Sequence, residues 1–258
     1  MSGEPNRLLV VAWLSLRGSL RAGRLAGLAA FALAPTLIVA AIAASHPAPS
    51  SLSDAAEDLF ALLTLPIVVM VITLVLSVGQ FRNEIDAETL VYLTDRSIQR
   101  PTIVVGKYLG SLTAALTLVL PATLLPLATA VAAGGTPYPI AVPLTLAVAT
   151  ILAAVAYGAF FLFLGLASRS ALLIGLLFGF LWEELLPLLP GDVPRFTVIF
   201  YLRGFLSWEL SSGPLSGFSK VVPLTGSLAV LLGLGLAFVL VGGVVLRYLE
   251  TAPERESG

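Results

Sequence analysis

The residues with chemistry to offer sit in two places. Between positions 81 and 107 the chain reads FRNEIDAETLVYLTDRSIQRPTIVVGK and carries Arg82, Glu84, Asp86, Glu88, Asp95, Arg96, Arg100 and Lys107. Ile85, Thr89, Leu90 and Leu93 fall near one face of a helix, and the acids fall largely elsewhere. Glu84 and Glu88 form a like-charge pair four residues apart, mildly unfavourable in an isolated helix and relieved by a basic partner. The stretch reads as a soluble handle for another component to grip. Its plain alternative is a solvated connecting loop.

The second place is LWEELLPLLP, with Glu183 and Glu184. Ionisable residues inside an apolar run are functional candidates by default. Two readings stay open. The pair is a candidate exit gate or cation contact on a transport path, or it lies at the outer membrane interface, balanced by Arg195 or Arg203 beside the interface anchor Trp182. A glutamate pair also raises an intramembrane metalloprotease of the E-E-x-x-x-R kind. Leu188 occupies the arginine position, and His46 is the chain's one histidine. That is too few nitrogen ligands for a catalytic zinc.

Both places must be positioned by membrane helices. Of the 258 residues, 58% are hydrophobic and 11% charged, with a mean hydropathy of +1.00. A typical soluble domain is about 25% charged, and a soluble fold of this length could not hide so much apolar surface. The fold class expected is all-α and polytopic. The net charge of -1 gives no reason to expect nucleic-acid binding, and zero cysteines exclude disulfides, thiol catalysis and cysteine-ligated metals. A cleaved signal peptide is not expected, because the first apolar run is long enough to span and follows an arginine-rich stretch.

At a rise of about 1.5 Å per residue a span needs about 20 apolar residues. Six windows qualify, at roughly 25–45, 59–80, 108–133, 141–167, 170–188 and 221–247. Ser168 and Arg169 make the short turn between the fourth and fifth. Residues 1–24 precede the six-span unit at 25–247, and 248–258 form a tail. With both termini on one side, only Arg195, Arg203 and Lys220 among the 14 Lys and Arg fall on the other. The positive-inside rule then puts the termini and the 81–107 segment in the cytoplasm of a multi-pass cell-membrane protein. The loop at 46–58 falls outside, with Asp54, Glu57 and Asp58 and no Lys or Arg.

Residues 5–24 place Leu9, Val10, Trp13, Leu16 and Leu20 at helical spacing opposite Arg7, Arg17, Arg21 and Arg24. This is the pattern of an amphipathic helix lying in the interface; a cytoplasmic extension of the first span is the alternative. The external loop 189–220 is apolar from Phe196 to Leu210, too short to span, and broken by Arg203 and Gly204. It reads as a re-entrant or interfacial segment, or as a folded external cap. Gly23/Gly27, Gly106/Gly110 and Gly175/Gly179 are small-residue pairs that allow close helix contact. Pro66, Pro121 and Pro126 are expected to kink their spans, and Pro101 to break the helical pattern before the third.

The sequence Glu84, Thr89, Leu90, Leu93, Ile98, Arg100, Gly106, Lys107 resembles the first cytoplasmic loop of ABC-2 type transporter permeases. In that family an acidic residue opens a short coupling helix, leucines follow, and an arginine turn leads through Gly-Lys into the next span. Glu88 stands where glycine is common and Ser97 where proline is common. The resemblance extends to the layout, with an N-terminal elbow helix, six spans, both ends inside, and a membrane-dipping external segment between spans five and six. It implies a coupling role for Arg82, Glu84, Asp86, Glu88, Thr89, Leu90, Leu93, Arg96, Arg100 and Lys107. It also implies a second permease copy, identical or paired, and a cytoplasmic ATPase subunit that binds ATP and magnesium, all working in the lipid bilayer.

This chain offers no phosphate loop of its own. Gly106-Lys107 is followed by Tyr108, and the position five before Gly106 is Pro101. The chain is therefore expected to be neither an enzyme nor a holder of cofactors. The rival expectation is a non-ABC membrane protein, either a secondary transporter or an assembly factor. A secondary transporter usually carries mid-membrane charges and an internal repeat. No acidic or basic residue lies near the centre of the first four spans or of the sixth, and no repeat is evident.

Overall fold

A computed structural model describes the backbone of residues 4–19, 22–86, 100–189, 191–210 and 222–251. Those residues are helical with no strand among them. In chain order the helices are α1 (Glu4–Ser19), α2 (Ala22–Ala32), α3 (Ala34–Ala43), α4 (Pro49–Leu59), α5 (Met70–Asp86), α6 (Arg100–Ala132), α7 (Ala141–Ala167), α8 (Ala171–Leu177), α9 (Val198–Glu209) and α10 (Leu224–Thr251). Two stretches between them are π-helical, Phe60–Val69 and Phe178–Glu183, with backbone bonds reaching five residues back.

Among the described residues six helical runs are long and apolar enough to cross a membrane: Gly23–Ala43, Pro49–Phe81, Pro101–Ala132, Ala141–Ala167, Ala171–Leu188 and Leu224–Leu246. Successive runs alternate in direction. Residues 81–86, 100 and 168–170 therefore share one end of the bundle. The turns at 44–48 and 133–140, with residues 184–189 and 191–210, share the other.

Burial divides the six unequally. The second and fourth runs are each 67% buried, against 22% for the first, fifth and sixth. α5 and α7 thus form the centre. α7 packs on α5, α6, α9 and α10, and α5 packs on α6 and α8. Side-chain hydrogen bonds pin the α6–α7 contact: the Thr123 and Thr150 hydroxyls are 2.8 Å apart, and the Tyr108 hydroxyl donates to the Val155 carbonyl at 3.0 Å. In hydrocarbon such bonds are worth about 0.6 kcal/mol each.

Two boundaries depart from the sequence reading. The expected loop at 46–58 is largely helix, because α4 begins at Pro49. Ala48 is extended, and proline suits the first helical turn, where its missing N–H had no partner to lose. Leu52 and Ala56 turn inward one turn apart while Asp54 and Asp58 stay exposed. Those charges disguise an amphipathic helix as a loop. In the same way Pro101 does not interrupt α6; it lies in its first turn, and the helix starts at Arg100. Pro66 lies within the first π stretch.

Candidate functional site

The end of the bundle that bears the charged segment is organised around Gln80 and Lys107. Lys107 is buried, with 3% of its surface exposed. Its ammonium donates to the Gln80 carbonyl at 2.7 Å and sits 4.8 Å from the centre of the Phe81 ring. The Gln80 side chain reaches the other way. Its amide nitrogen donates to the Ser19 hydroxyl at 2.5 Å, and its amide oxygen accepts from the Ser15 hydroxyl. The Arg24 guanidinium donates to the Val75 carbonyl. One knot of polar side chains therefore ties α1, α2, α5 and α6 together at the Gln80 end of α5.

α1 comes close enough to join this knot because α6 has no side chain in its way. A Cβ built at Gly106 would lie 2.8 Å from Val11 Cγ1, and one at Gly110 would lie 2.6 Å from the Ala12 carbonyl oxygen. The outer face of α1 leaves Leu9, Val10, Trp13 and Leu14 exposed, with Arg17 stacked 4.9 Å from the Trp13 ring centre.

Of the coupling residues expected from the sequence, Lys107 lies inside this knot. Arg82, Glu84 and Asp86 belong to the last turns of α5, and Arg100 opens α6. Glu88, Thr89, Leu90, Leu93 and Arg96 lie outside the described residues. Ser15, Ser19 and Gln80 were not anticipated. A signal existed in each case: Ser15 and Ser19 are one turn apart on the helix, and Gln80 is a lone amide at the end of an apolar run. Arg24, expected on the polar face of an interfacial helix, turns in under α5 instead.

The opposite end is organised around Glu183, which is buried with 2% of its surface exposed. Its carboxylate accepts three hydrogen bonds: from the Tyr157 hydroxyl at 2.9 Å, the Val198 N–H at 3.0 Å and the Ile199 N–H at 2.9 Å. The two amides are the first of α9. Thr197 caps the same helix by accepting from the Phe200 N–H at 3.3 Å. An acid at a helix N-terminus satisfies otherwise unpaired N–H groups and complements the helix dipole. Arg195, one of the two arginines expected to balance the glutamate pair, forms an ion pair with Asp192 at 3.2 Å; the other, Arg203, lies within α9. Glu184, next in sequence, is only half-buried. The two acids expected to act as a pair are thus placed differently.

α9 packs against α7 and α10 through Ile199, Leu202, Phe205 and Leu206. Trp208 donates its ring N–H to the Val222 carbonyl at 2.7 Å. Beside Glu183 lies an apolar cavity of about 270 Å³ between α7, α9, α10 and the second π stretch. Elsewhere on this end, the Tyr138 hydroxyl donates to the Ser53 carbonyl at 2.8 Å and fastens the 133–140 turn to α4. Burial pushes the Tyr138 phenol up to about 12, against a smaller opposing effect of its bond to Ser53.

No protein-family model matches this sequence, and a search of curated proteins finds no relative.

Proposed function

We propose that this chain is the membrane-spanning subunit of an ATP-driven ABC-2 type transporter, an exporter that works as a pair of permeases with a separate ATPase dimer. The observation that carries the reading is the coupling-loop pattern of Glu84, Thr89, Leu90, Leu93, Ile98, Arg100, Gly106 and Lys107, which runs in sequence from the last turns of α5 into the first turns of α6. α5 is continuous with one of the two best-buried runs. A push on residues 82–96 works directly on the centre of the bundle. Closure of the ATPases on that segment rocks the spans between inward- and outward-facing states as rigid bodies.

In this reading α1 is the elbow helix, lying along the cytoplasmic surface with Trp13 and its apolar neighbours toward lipid. The knot around Gln80 makes it move with α5 and α6. α9 is the membrane-dipping external segment between spans five and six. Glu183 is its latch, and the exit gate is the latched helix rather than an exposed glutamate pair.

The decisive test is charge reversal at Glu84 and Asp86 in the chain co-expressed with its ATPase. ATP hydrolysis continues in the isolated complex while transport in vesicles falls at least tenfold. Unchanged transport, or failure of the chain to co-purify with any ATPase, sinks the proposal. For orientation, Ala48→Cys is labelled by an impermeant thiol reagent on intact cells, and Ala87→Cys only after permeabilisation. The reverse pattern overturns the topology.

A further inference from the structure

The cavity beside Glu183 is partly enclosed and lined almost wholly by apolar groups. Tyr157, Phe160, Phe178, Phe196, Tyr201 and Phe238 all contribute to its wall. The aromatic rings hold one another: the Phe160 centroid is 4.5 Å from that of Phe178 and 5.1 Å from that of Phe238. Three separate parts of the chain supply those three rings, so the wall is a built surface and not a gap along one helix. An apolar cavity of roughly 150 Å³ stays dry and admits one benzene ring. At about 270 Å³ this cavity has room for a slender apolar group of about twice that bulk.

One acidic and one basic side chain border it, and they differ. The Glu183 carboxylate is occupied by three donors, so it is not offered to a ligand. Arg195 is half-exposed, and its ion pair with Asp192 is a local surface contact three residues apart, of a kind that contributes little. A guanidinium recognises carboxylates and phosphates through paired N–H donors.

The geometry points to a binding site for a single-chain anionic amphiphile, with its apolar tail among the Phe160, Phe178 and Phe238 rings and its head on Arg195. The site does not depend on pairing with an ATPase. A dialkyl lipid is disfavoured by the volume, and a cation by the donor set at the rim.

Trp182 provides the reporter. Its ring stacks 6.4 Å from the Phe178 centroid, and its N–H donates to the Phe196 carbonyl at 3.0 Å. Both partners line the cavity. The full chain in nanodiscs of unbrominated lipid is titrated with a dibrominated dodecanoate and, separately, with its uncharged methyl ester, while tryptophan fluorescence is followed. The expected result is saturable quenching by the acid, at least tenfold weaker for the ester, and absent in Trp182→Phe. Val230→Phe, which narrows the cavity, raises the half-saturation at least tenfold. Arg195→Gln, a rim substitution that leaves the packing intact, removes the preference for acid over ester. Quenching that rises linearly with the bromo-lipid fraction and ignores Val230→Phe would show bulk partitioning and overturn the site. Equal saturable binding of acid and ester would overturn the headgroup assignment.

Discussion

The two helices that do not cross the bundle, α1 at one end and α9 at the other, are fastened by opposite chemistry. α1 is drawn in at close range along Gly106 and Gly110, then tied by hydroxyls and an amide to Gln80, beside cations that donate to the Val75 and Gln80 carbonyls. α9 is held at its tip, where one buried carboxylate collects its first amides. The first attachment is spread over several turns and several partners. The second adds, to an apolar face packed on α7 and α10, a polar anchor concentrated in a single residue. Hydrogen bonds spread over several partners are lost piecemeal, whereas those that converge on one carboxylate are lost together.

Substitutions can break this contrast, and the largest effect is expected at the single anchor. Glu183→Leu strands the Tyr157 hydroxyl and two helix amides in an apolar site. With buried unsatisfied groups costing about 1–3 kcal/mol each, the expected loss is about 3–5 kcal/mol. Hydrogen exchange at 198–209 should rise sharply while 4–19 stays protected. Equal loss of protection in both segments would show that the two helices are not independently fastened.

Gly110→Leu comes next. It presses a side chain against the Ala12 carbonyl and Ser15, an overpacking expected to cost about 2 kcal/mol. The reverse pattern of exchange is expected, with α1 exposed and α9 unchanged. Tyr157→Phe is the mildest, because Glu183 keeps both amides. A shift of about 1 kcal/mol is expected, with α9 still protected. A Tyr157→Phe effect as large as that of Glu183→Leu would mean that the hydroxyl, and not the helix terminus, is the true anchor.

The apolar windows were easy to read because each is a long unbroken signal of a single kind. Pro49–Leu59 was hidden because its inward side, Leu52, Ser53, Ala56 and Glu57, mixes polar with apolar residues, and its outward side carries Asp54 and Asp58. Glu183 was legible as an acid in the wrong company. Its partners were not, since two of them are backbone amides whose position depends on where α9 starts. Thr197 before an apolar run was the available sign of that start. Gly106 and Gly110 announced a close approach without naming what approaches. The partner, α1, lies almost a hundred positions earlier, and spacing along one helix carries no information about which other helix it meets.

The π stretches have a consequence for how force travels through the bundle. In the second run the positions Leu52, Ala56, Phe60, Thr64, Val68, Ile72, Leu76 and Gln80 are all buried, as are Ala171, Gly175, Gly179 and Glu183 in the fifth. Every fourth residue faces inward in both. In an ordinary α-helix a four-residue step overshoots a full turn by about 40°, so such a column winds around the helix. The wider turns at Phe60–Val69 and Phe178–Glu183, which touch each other, wind part of that drift back. The two helices meet where Met70 lies against Gly179 and Leu74 against Gly175. These contacts are where a movement of α5 along its own axis would be passed to the run that carries Glu183.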